Sequence, residues 1–244
     1  MKIIPAIDLC DGRVVRLRQG DFAQARTFAH DPAELAARYA HAGADALHLV
    51  DLDGARAARP MQLAAIERIA ATGLRVQAGG GVRTREDVLR LFDAGVARVV
   101  VGSVAVREPG TFADWLHAFG ADRLCLAMDL RLGDDGRWRP AVDAWQASAD
   151  GDYAALLQRF AAAGLRHVLT TDVDHDGMAA GPNLALYRVL AVRWPAFAWI
   201  ASGGVRDLGD IDALRATGVA ACVAGTALLE GSLPLEALSC SRAA

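Results

Sequence analysis

Two aspartates occupy matching positions in the chain, each directly after a short apolar segment. Asp8 follows Ile3–Ile7, and Asp129 follows Leu124–Met128. A carboxylate that faces a bound substrate can act as a general acid or a general base. The alternative is that either aspartate caps a loop or pairs with an arginine. Two aspartates at matched positions, each followed by an unusually long loop, favour acid–base catalysis.

Glycine-rich segments also occur in pairs. Gly79–Thr84 reads GGGVRT, and Ser202–Asp207 reads SGGVRD. Glycine lets backbone N–H groups approach an anion closely, and a helix that follows adds its positive N-terminus. The pattern therefore predicts two phosphate sites, one in each half of the chain. The predicted contacts are Gly80, Gly81, Arg83, Gly102 and Ser103 in the first half, and Gly203, Gly204, Gly225 and Thr226 in the second.

These pairs belong to an internal repeat. Gly81 and Gly204 are 123 positions apart, as are Gly102 and Gly225, whereas Asp8 and Asp129 are 121 positions apart. A repeat of this regularity indicates two halves of one architecture. We place the half-barrels at about 1–121 and 122–244, and we expect a substrate with a phosphate at each end.

Short apolar segments alternate with amphipathic segments along the whole chain, as in parallel sheets that are buried on both faces. Eight strand–helix units predict a single (β/α)8 barrel over residues 1–244, with its active site at the carboxyl ends of the strands. A doubly wound open sheet is the alternative. The predicted strands are Ile3–Ile7, Ala46–Val50, Arg75–Ala78, Arg98–Val101, Leu124–Met128, His167–Thr170, Phe197–Ala201 and Ala221–Ala224.

Two connections are too long to be plain turns. They run over Leu9–His30 and Leu130–Ala149, at equivalent places in the two halves. Each contains an Asp-Gly pair, a turn signal that predicts a small hairpin. Long loops in compact domains are often functional, so we expect both to cover the site.

Other polar residues near the predicted strand ends are weaker candidates. Thr171 is placed to bond an acid or a substrate hydroxyl. Asp176-Gly177 is placed to hold the glycine loop or a ribose hydroxyl. Trp145 can stack on a heteroaromatic ligand, although packing within its loop is the alternative. Arg83 can contact an anion or remain a solvated arginine at a helix start.

Some residues are interpreted as structural. His48 lies inside a predicted strand and is read as a hydrogen-bonded core histidine. For Asp51 and Asp53, a role in holding loops is as plausible as one in binding. The histidines and carboxylates show no spacing typical of a metal site, so no metal is predicted.

The composition of the chain narrows the class of ligand. The 244 residues are 53% hydrophobic and carry a net charge of −3, with no basic field for nucleic acid or an anionic membrane. No apolar run approaches the roughly 18–20 residues that span a bilayer, and Asp8 comes too early for a signal peptide. We expect a cytoplasmic protein with a small phosphorylated ligand. No lysine ends a predicted strand and no GxGxxG follows the first, so neither a Schiff base nor a dinucleotide is expected.

At this point the sequence resembles a known family. It is similar to the histidine-biosynthesis isomerases that act on phosphoribosylformimino-5-aminoimidazole-4-carboxamide ribonucleotide. The resemblance covers nearly the whole chain. It rests on Ile4–Leu9 (IPAIDL), Gly12–Leu17 (GRVVRL), Gln19–Asp21 (QGD, with Gly20 a predicted substrate contact), His48–Ala55, Gly79–Arg83, Thr171–Val173, Asp176–Gly177, Gly181–Asn183 and Ala201–Val205.

The resemblance implies a reaction and assigns roles. The family is a (β/α)8 barrel without metal or organic cofactor, and its substrate carries a phosphoribosyl group at each end. The implied reaction is an Amadori rearrangement of an aminoaldose to an aminoketose. The family's general base falls on Asp8, its general acid on Asp129 and the threonine that supports the acid on Thr171. We expect a monomer without an obligate partner.

The main alternative is the cyclase subunit of imidazole glycerol phosphate synthase, which shares the doubled barrel and both aspartates. That family reads Cys-Leu-Asp-Val at the first strand and has a lysine soon after. Here the stretch is Ala6–Leu9, and no lysine occurs in Leu9–His30. A related isomerase that also acts on phosphoribosylanthranilate is a lesser alternative.

A non-catalytic phosphosugar-binding barrel is the alternative from another class. The three predicted catalytic side chains argue against it, since carboxylates beside phosphates give a pure binder no advantage. The chain departs from the family pattern at three positions near the site, which puts fine substrate contacts in question. These are Ala144, His175 and Met178.

Overall fold

A computed structural model describes residues 1–18, 20–142, 147–148, 153–176 and 180–242 of the chain. Eight parallel strands form its centre, and each pairs with the next one in the chain. The sheet closes on itself because Lys2–Pro5 of the first strand pairs with Ala221–Ala224 of the last. The predicted barrel is therefore confirmed. Barrel strands 1 to 8 are Lys2–Cys10, Ala46–Asp51, Arg75–Gly79, Arg98–Val101, Leu124–Ala127, His167–Thr171, Ala198–Ser202 and Ala221–Ala224.

The barrel has two cores because both faces of its strands are buried. The larger lies between strands and helices, and includes Leu47, Val99 and Phe160. The smaller fills the inside of the barrel, where Ile4 and Leu169 belong to it. Alternate residues of each strand therefore point inward, so polar residues at inward positions near the carboxyl ends reach the mouth of the barrel.

Helices surround the barrel. Near the end of the described residues, Gly231 ends a short helix at φ +80°, and a 3-10 helix follows Pro234. The helices are Pro32–His41, Leu52–Ala57, Leu63–Ala70, Arg85–Asp93, Ser103–Arg107, Pro109–Phe119, Tyr153–Ala162, Leu184–Arg193, Leu208–Arg215 and Thr226–Glu230, with the 3-10 helix Leu235–Arg242. Among the described residues, no helix is long and apolar enough to cross a membrane.

Both long connections contain antiparallel strands, as the turn signals predict. After barrel strand 1, Arg13–Arg18 and Asp21–Phe28 form a hairpin that extends the barrel sheet. After barrel strand 5, a small sheet contains Leu130–Leu132, Trp138–Val142 and Ala147–Ser148. The two additions rise from equivalent places, so they flank the mouth of the barrel on opposite sides.

The glycine loop after strand 3 requires a residue without a side chain. Gly80 has a φ of +117°, and a Cβ there would collide with the backbone of Asp51. By contrast Gly136, at the tip of the second connection, has a φ of +74° and open space around it. Alanine substitutions at the two positions therefore distinguish the free-energy cost of a left-handed backbone from that of a collision.

We expect Gly80→Ala to lower the free energy of unfolding by at least about 3 kcal/mol, since strain and collision add. Gly136→Ala is the matched control, and we expect it to cost about 1 kcal/mol from strain alone. Urea unfolding of the two variants measures both values. Equal losses would show that the backbone of strand 2 yields to the new methyl group.

Candidate active site

A cleft of about 370 Å³ opens at the carboxyl ends of the barrel strands. Acidic, hydroxyl and glycine residues line it, together with two arginines that follow the glycine loops. Every predicted site residue that the structure describes lies in its wall. These are Asp8, Gly20, Gly80, Gly81, Arg83, Gly102, Ser103, Asp129, Thr171, Asp176, Gly203, Gly204, Gly225 and Thr226. The predicted contacts Trp145 and Gly177 lie outside the described residues, as do Ala144 and Met178.

The glycine loops have the same backbone geometry in the two halves. Gly81 has a φ of +78° and Gly204 one of +81°. Gly102 and Gly225, which precede short helices, have φ values of −108° and −115°. A Cβ at Gly81 would collide with the carbonyl of Gly54, and one at Gly204 with that of Gly181. The sequence repeat is therefore also a repeat of backbone conformation.

The arginines of the two loops differ in their contacts. Arg206 donates from Nε and Nη2 to the Asp210 carboxylate, at 2.8 Å each. At the equivalent place, Asp87 accepts from the backbone N–H of Arg83, whose Nη1 donates to the Val82 carbonyl. The bidentate pair holds the Arg206 side chain against its own helix. The two halves thus present different side chains to a ligand on a matched backbone.

Asp8 pairs with an arginine from the first hairpin. Arg16 Nη1 lies 2.6 Å from Asp8 Oδ2, and Nη2 donates to the Ala6 carbonyl at 2.9 Å. Both side chains are largely buried, at 17% and 15% exposure. A hydrogen bond between an arginine and a carboxylate is among the stronger hydrogen bonds in proteins. Asp8 therefore both pairs with an arginine and lies in the wall of the cleft.

The same arginine reaches the glycine loop of the second half. A Cβ at Gly225 would overlap the Arg16 guanidinium, which therefore lies directly against the carboxyl end of strand 8. Arg16 consequently connects the Asp8 carboxylate with the Gly225-Thr226 loop. An anion bound at that loop would attract the guanidinium that holds Asp8.

The surroundings of Asp176 in the cleft strongly shift the pKa of its carboxyl group. Burial raises its pKa to about 6, Arg16 opposes the rise, and the charges of Asp8 and Asp129 add to it. Its Oδ1 lies 3.3 Å from where a Cβ of Gly203 would be. At this pKa a substantial fraction of Asp176 stays protonated below pH 6. Asp176 can therefore hold a proton at a pH at which an ordinary aspartate has lost it.

Two further aspartates hold the loops rather than the ligand. Asp51 accepts hydrogen bonds from the backbone N–H groups of Gly54, Met61 and Gln62. At the matching position, Asp172 accepts from Asn183 Nδ2 at 2.7 Å and is 1% exposed. Of the two roles left open for Asp51, the structure shows that of holding its loop, and the repeat extends to this residue.

Sequence reasoning missed some residues of the cleft. Arg16, Phe22 and Ser202 line it, and none was predicted to contact substrate. Arg16 was detectable in principle, because the Asp-Gly hairpin pairs Val15 with Asp8 and so brings its neighbour close. His48 is buried and bonded to Gln77, as predicted, but it also lines the cleft.

Comparison with known proteins identifies the family of this barrel. Residues 2–234 match the model of a family described as histidine biosynthesis protein. The chain belongs to the histidine biosynthesis protein family. The fold and the resemblance in the sequence agree with this membership.

Curated relatives of this histidine biosynthesis barrel match it along its whole length. A protein of Xanthomonas axonopodis pv. citri is 50% identical, one of Stenotrophomonas maltophilia 48% and one of Enterobacter sp. 47%, each over 98% of both chains. All three are named 1-(5-phosphoribosyl)-5-((5-phosphoribosylamino)methylideneamino)imidazole-4-carboxamide isomerase. Within the described part of this barrel, no group of three or more metal-ligating side chains occurs.

The raised pKa of Asp176 makes the stability of the barrel depend on pH. The folded state binds the Asp176 proton more tightly than the unfolded chain does. The stability that this proton contributes is fully present below about pH 3.8 and is lost as the pH rises through about 6. We expect Asp176→Asn to gain stability relative to wild type between pH 4 and pH 7. The shift sets an upper limit of about 3 kcal/mol, which solvent at this half-buried side chain reduces.

Urea unfolding at pH 4, 5, 6 and 7 measures this difference. Asp93→Asn, on an outer helix, is the control for removing a carboxylate elsewhere on the barrel. Identical pH dependence in wild type and Asp176→Asn would contradict the raised pKa.

Proposed function

We propose that this chain catalyses the aldose–ketose isomerisation named for its relatives. The substrate is phosphoribosylformimino-5-aminoimidazole-4-carboxamide ribonucleotide, and the product is its phosphoribulosyl form. The observation that carries the proposal is the arrangement of the cleft. Three carboxyl groups, from Asp8, Asp129 and Asp176, lie between two matched sets of glycine loops. This suits a substrate with a phosphate at each end and a reacting sugar in between.

Asp8 is the proposed general base. One carboxyl group first donates a proton to the ring oxygen of the aminoaldose, and the ring opens to a protonated imine. Asp8 then removes the proton from C2, and the electron pair of that C–H bond neutralises the imine to an enolamine. Tautomerisation of the enolamine gives the aminoketose. Arg16 pairs with Asp8, and this pair must open as substrate binds.

The acid is one of two carboxyl groups. The sequence predicts Asp129, with Thr171 in support, and both lie in the cleft wall. The pKa of Asp176, raised to about 6 by burial, suits this group to donate a proton near neutral pH. We therefore favour Asp176 as the acid, with the charge of Asp129 helping to keep it protonated.

Positioning supplies the larger part of the proposed rate enhancement. Each proton transfer by a placed carboxyl group is worth about 10²–10⁴-fold. Holding both ends of the substrate can contribute about 7–11 kcal/mol through effective molarity. The two phosphates are proposed to bind at Gly80, Gly81, Gly102 and Ser103 in one half and at Gly203, Gly204, Gly225 and Thr226 in the other.

The remaining predictions complete the proposal. The reaction as written balances through proton transfers alone and needs no metal or organic cofactor. We propose that the protein acts as a cytoplasmic monomer without an obligate partner. Arg83, Gly20 and Trp145 are proposed substrate contacts, and the two long connections are proposed to close over the bound ligand.

The direct test is turnover of the formimino ribonucleotide by purified protein without metal or ammonia. The ketose is detected by coupling to a known cyclase–glutaminase pair. Turnover that requires the added cyclase supports the isomerase. Consumption of authentic ketose and ammonia by the protein alone would identify a cyclase instead, and saturable binding without either activity would identify a binding barrel.

We expect Asp8→Asn to lower kcat by at least about 10³-fold, because an amide cannot remove the C2 proton. KM is expected to change less than about threefold, since the substrate is held at its phosphates. Steady-state kinetics at saturating substrate measure both. Near-normal kcat in Asp8→Asn would show that the base is another group.

Asp176→Asn and Asp129→Asn distinguish the two candidate acids. If Asp176 is the acid, its variant loses at least about 100-fold in kcat/KM at every pH. Asp129→Asn then retains more activity, and its alkaline limb moves to lower pH because a repelling charge is gone. The pH profiles of kcat/KM from pH 5 to 9 measure this. The reverse pattern would assign the acid to Asp129.

A further inference from the structure

A line of polar side chains runs from the cleft into the inside of the barrel. His48, Gln77 and Arg98 lie on strands 2, 3 and 4, and each is the register partner of the next. Gln77 is 3% exposed and His48 7% exposed. Burying polar groups costs free energy unless they are hydrogen-bonded, so each of these three side chains is expected to have hydrogen-bond partners.

Arg98 is fixed at the inner end of the line by three bonds. Nε donates to the Asp122 carbonyl at 3.2 Å, and Nη1 donates to Gln77 Oε1 at 3.3 Å. Nη2 lies 2.9 Å from His167 Nε2. An arginine carries donors and no acceptor, so every partner must turn an acceptor toward it. The half-buried guanidinium therefore sets the direction of each hydrogen bond that follows.

The Gln77 amide connects Arg98 to His48 and fixes the direction of the hydrogen bond to His48. Its oxygen faces Arg98, so its nitrogen faces outward and lies 3.2 Å from His48 Nδ1. An amide nitrogen only donates, so Nδ1 must accept. A neutral imidazole that accepts at Nδ1 carries its proton on Nε2. The ring stays neutral because burial, together with the charge of Arg16, lowers the pKa of His48 to about 4.

His48 is the member of this line that reaches the cleft. It lines the cavity, and it pairs in register with Ala6, two residues before Asp8 on strand 1. Its ring thus lies one inward layer below the proposed base. A hydrogen-bond donor on this ring is therefore available at the wall of the cleft, below Asp8.

We propose that Arg98 and Gln77 are positioning residues that hold His48 in its Nε2–H form, so that it presents one fixed hydrogen-bond donor to the reacting sugar. The substrate part of this proposal rests on the proposed isomerase function. A donor with a set direction costs no reorganisation as charge develops on a substrate oxygen. Arg98 acts through two other side chains and does not itself line the cleft.

The tautomer of His48 is directly measurable without substrate. Long-range ¹H–¹⁵N correlation spectra of uniformly ¹⁵N-labelled protein distinguish Nε2–H, Nδ1–H and imidazolium forms. The His48 signals are assigned by their loss in His48→Phe. We expect the Nε2–H pattern in wild type at pH 7. An Nδ1–H pattern would overturn the proposal.

Gln77→Glu reverses the bond to His48 while keeping size and position. The new carboxylate pairs with Arg98 and can only accept, so His48 must now carry a proton on Nδ1. We expect the Nδ1–H or imidazolium pattern and a loss of about 10- to 100-fold in kcat/KM, mostly in kcat. A changed tautomer with unchanged kcat would overturn the role of the donor.

Variants of Arg98 distinguish its effect on the direction of the hydrogen bonds from its effect on packing. Arg98→Lys keeps a group that only donates, and we expect it to retain the Nε2–H pattern. Arg98→Gln can present either end of its amide, and we expect mixed tautomers with a reduced kcat. The matched control is Arg166→Gln, which changes an exposed arginine that pairs with Asp122. We expect this variant to keep the Nε2–H pattern of His48 and a kcat/KM within twofold of wild type.

The two proposals fail in different ways. A wild-type protein with the Nε2–H pattern but no isomerase turnover would overturn the proposed function and the substrate part of this inference. Active protein with another His48 tautomer, or with Arg98→Gln indistinguishable from wild type in spectrum and kcat, would overturn this inference alone.

Discussion

The arrangement of the site depends on the burial of one carboxyl group, that of Asp176, in a cleft that it shares with two others. Asp8, Asp129 and Asp176 come from different parts of the chain, and barrel closure brings them to one mouth. Burial raises the pKa of Asp176 to about 6, and the charges of Asp8 and Asp129 add to the rise. Arg16 pairs with Asp8 at 2.6 Å. These different surroundings suit the proposed roles of a base and an acid, although both groups are aspartates.

The internal repeat explains why this cleft has two ends. Backbone geometry repeats closely at the glycine loops, and Asp51 and Asp172 brace the adjoining loops in the same way. The side chains have diverged on this common backbone. Asp53 accepts a backbone hydrogen bond from Asp11 in its loop, whereas its repeat partner Asp176 faces the carboxylates. Two equivalent sets of glycine loops, with different side chains elsewhere in the cleft, suit a substrate that has a phosphate at each end and one reacting sugar.

Much of the fold was predictable, because buried parallel strands are apolar and glycines mark their ends. The strands Arg98–Val101 and Ala221–Ala224 have the bounds that the sequence predicts. The site residues followed from their places at strand ends. What the sequence could not provide was contact between side chains far apart in the chain. The contact of Arg16 with Gly225 depends on how the hairpin folds over strand 8, and the bond from Arg98 to His167 depends on which inward side chains meet across the barrel.

The central claim is that one substrate is held at both ends across the carboxyl groups. The most direct measurement compares kcat/KM for the intact formimino ribonucleotide with the values for the two forms that each lack one terminal phosphate. We predict that either loss lowers kcat/KM by at least about 100-fold, with part of it in kcat, because remote binding energy positions the sugar. A value within threefold of that for the intact substrate, for either truncated form, would contradict the account, since one set of glycine loops would then bind nothing.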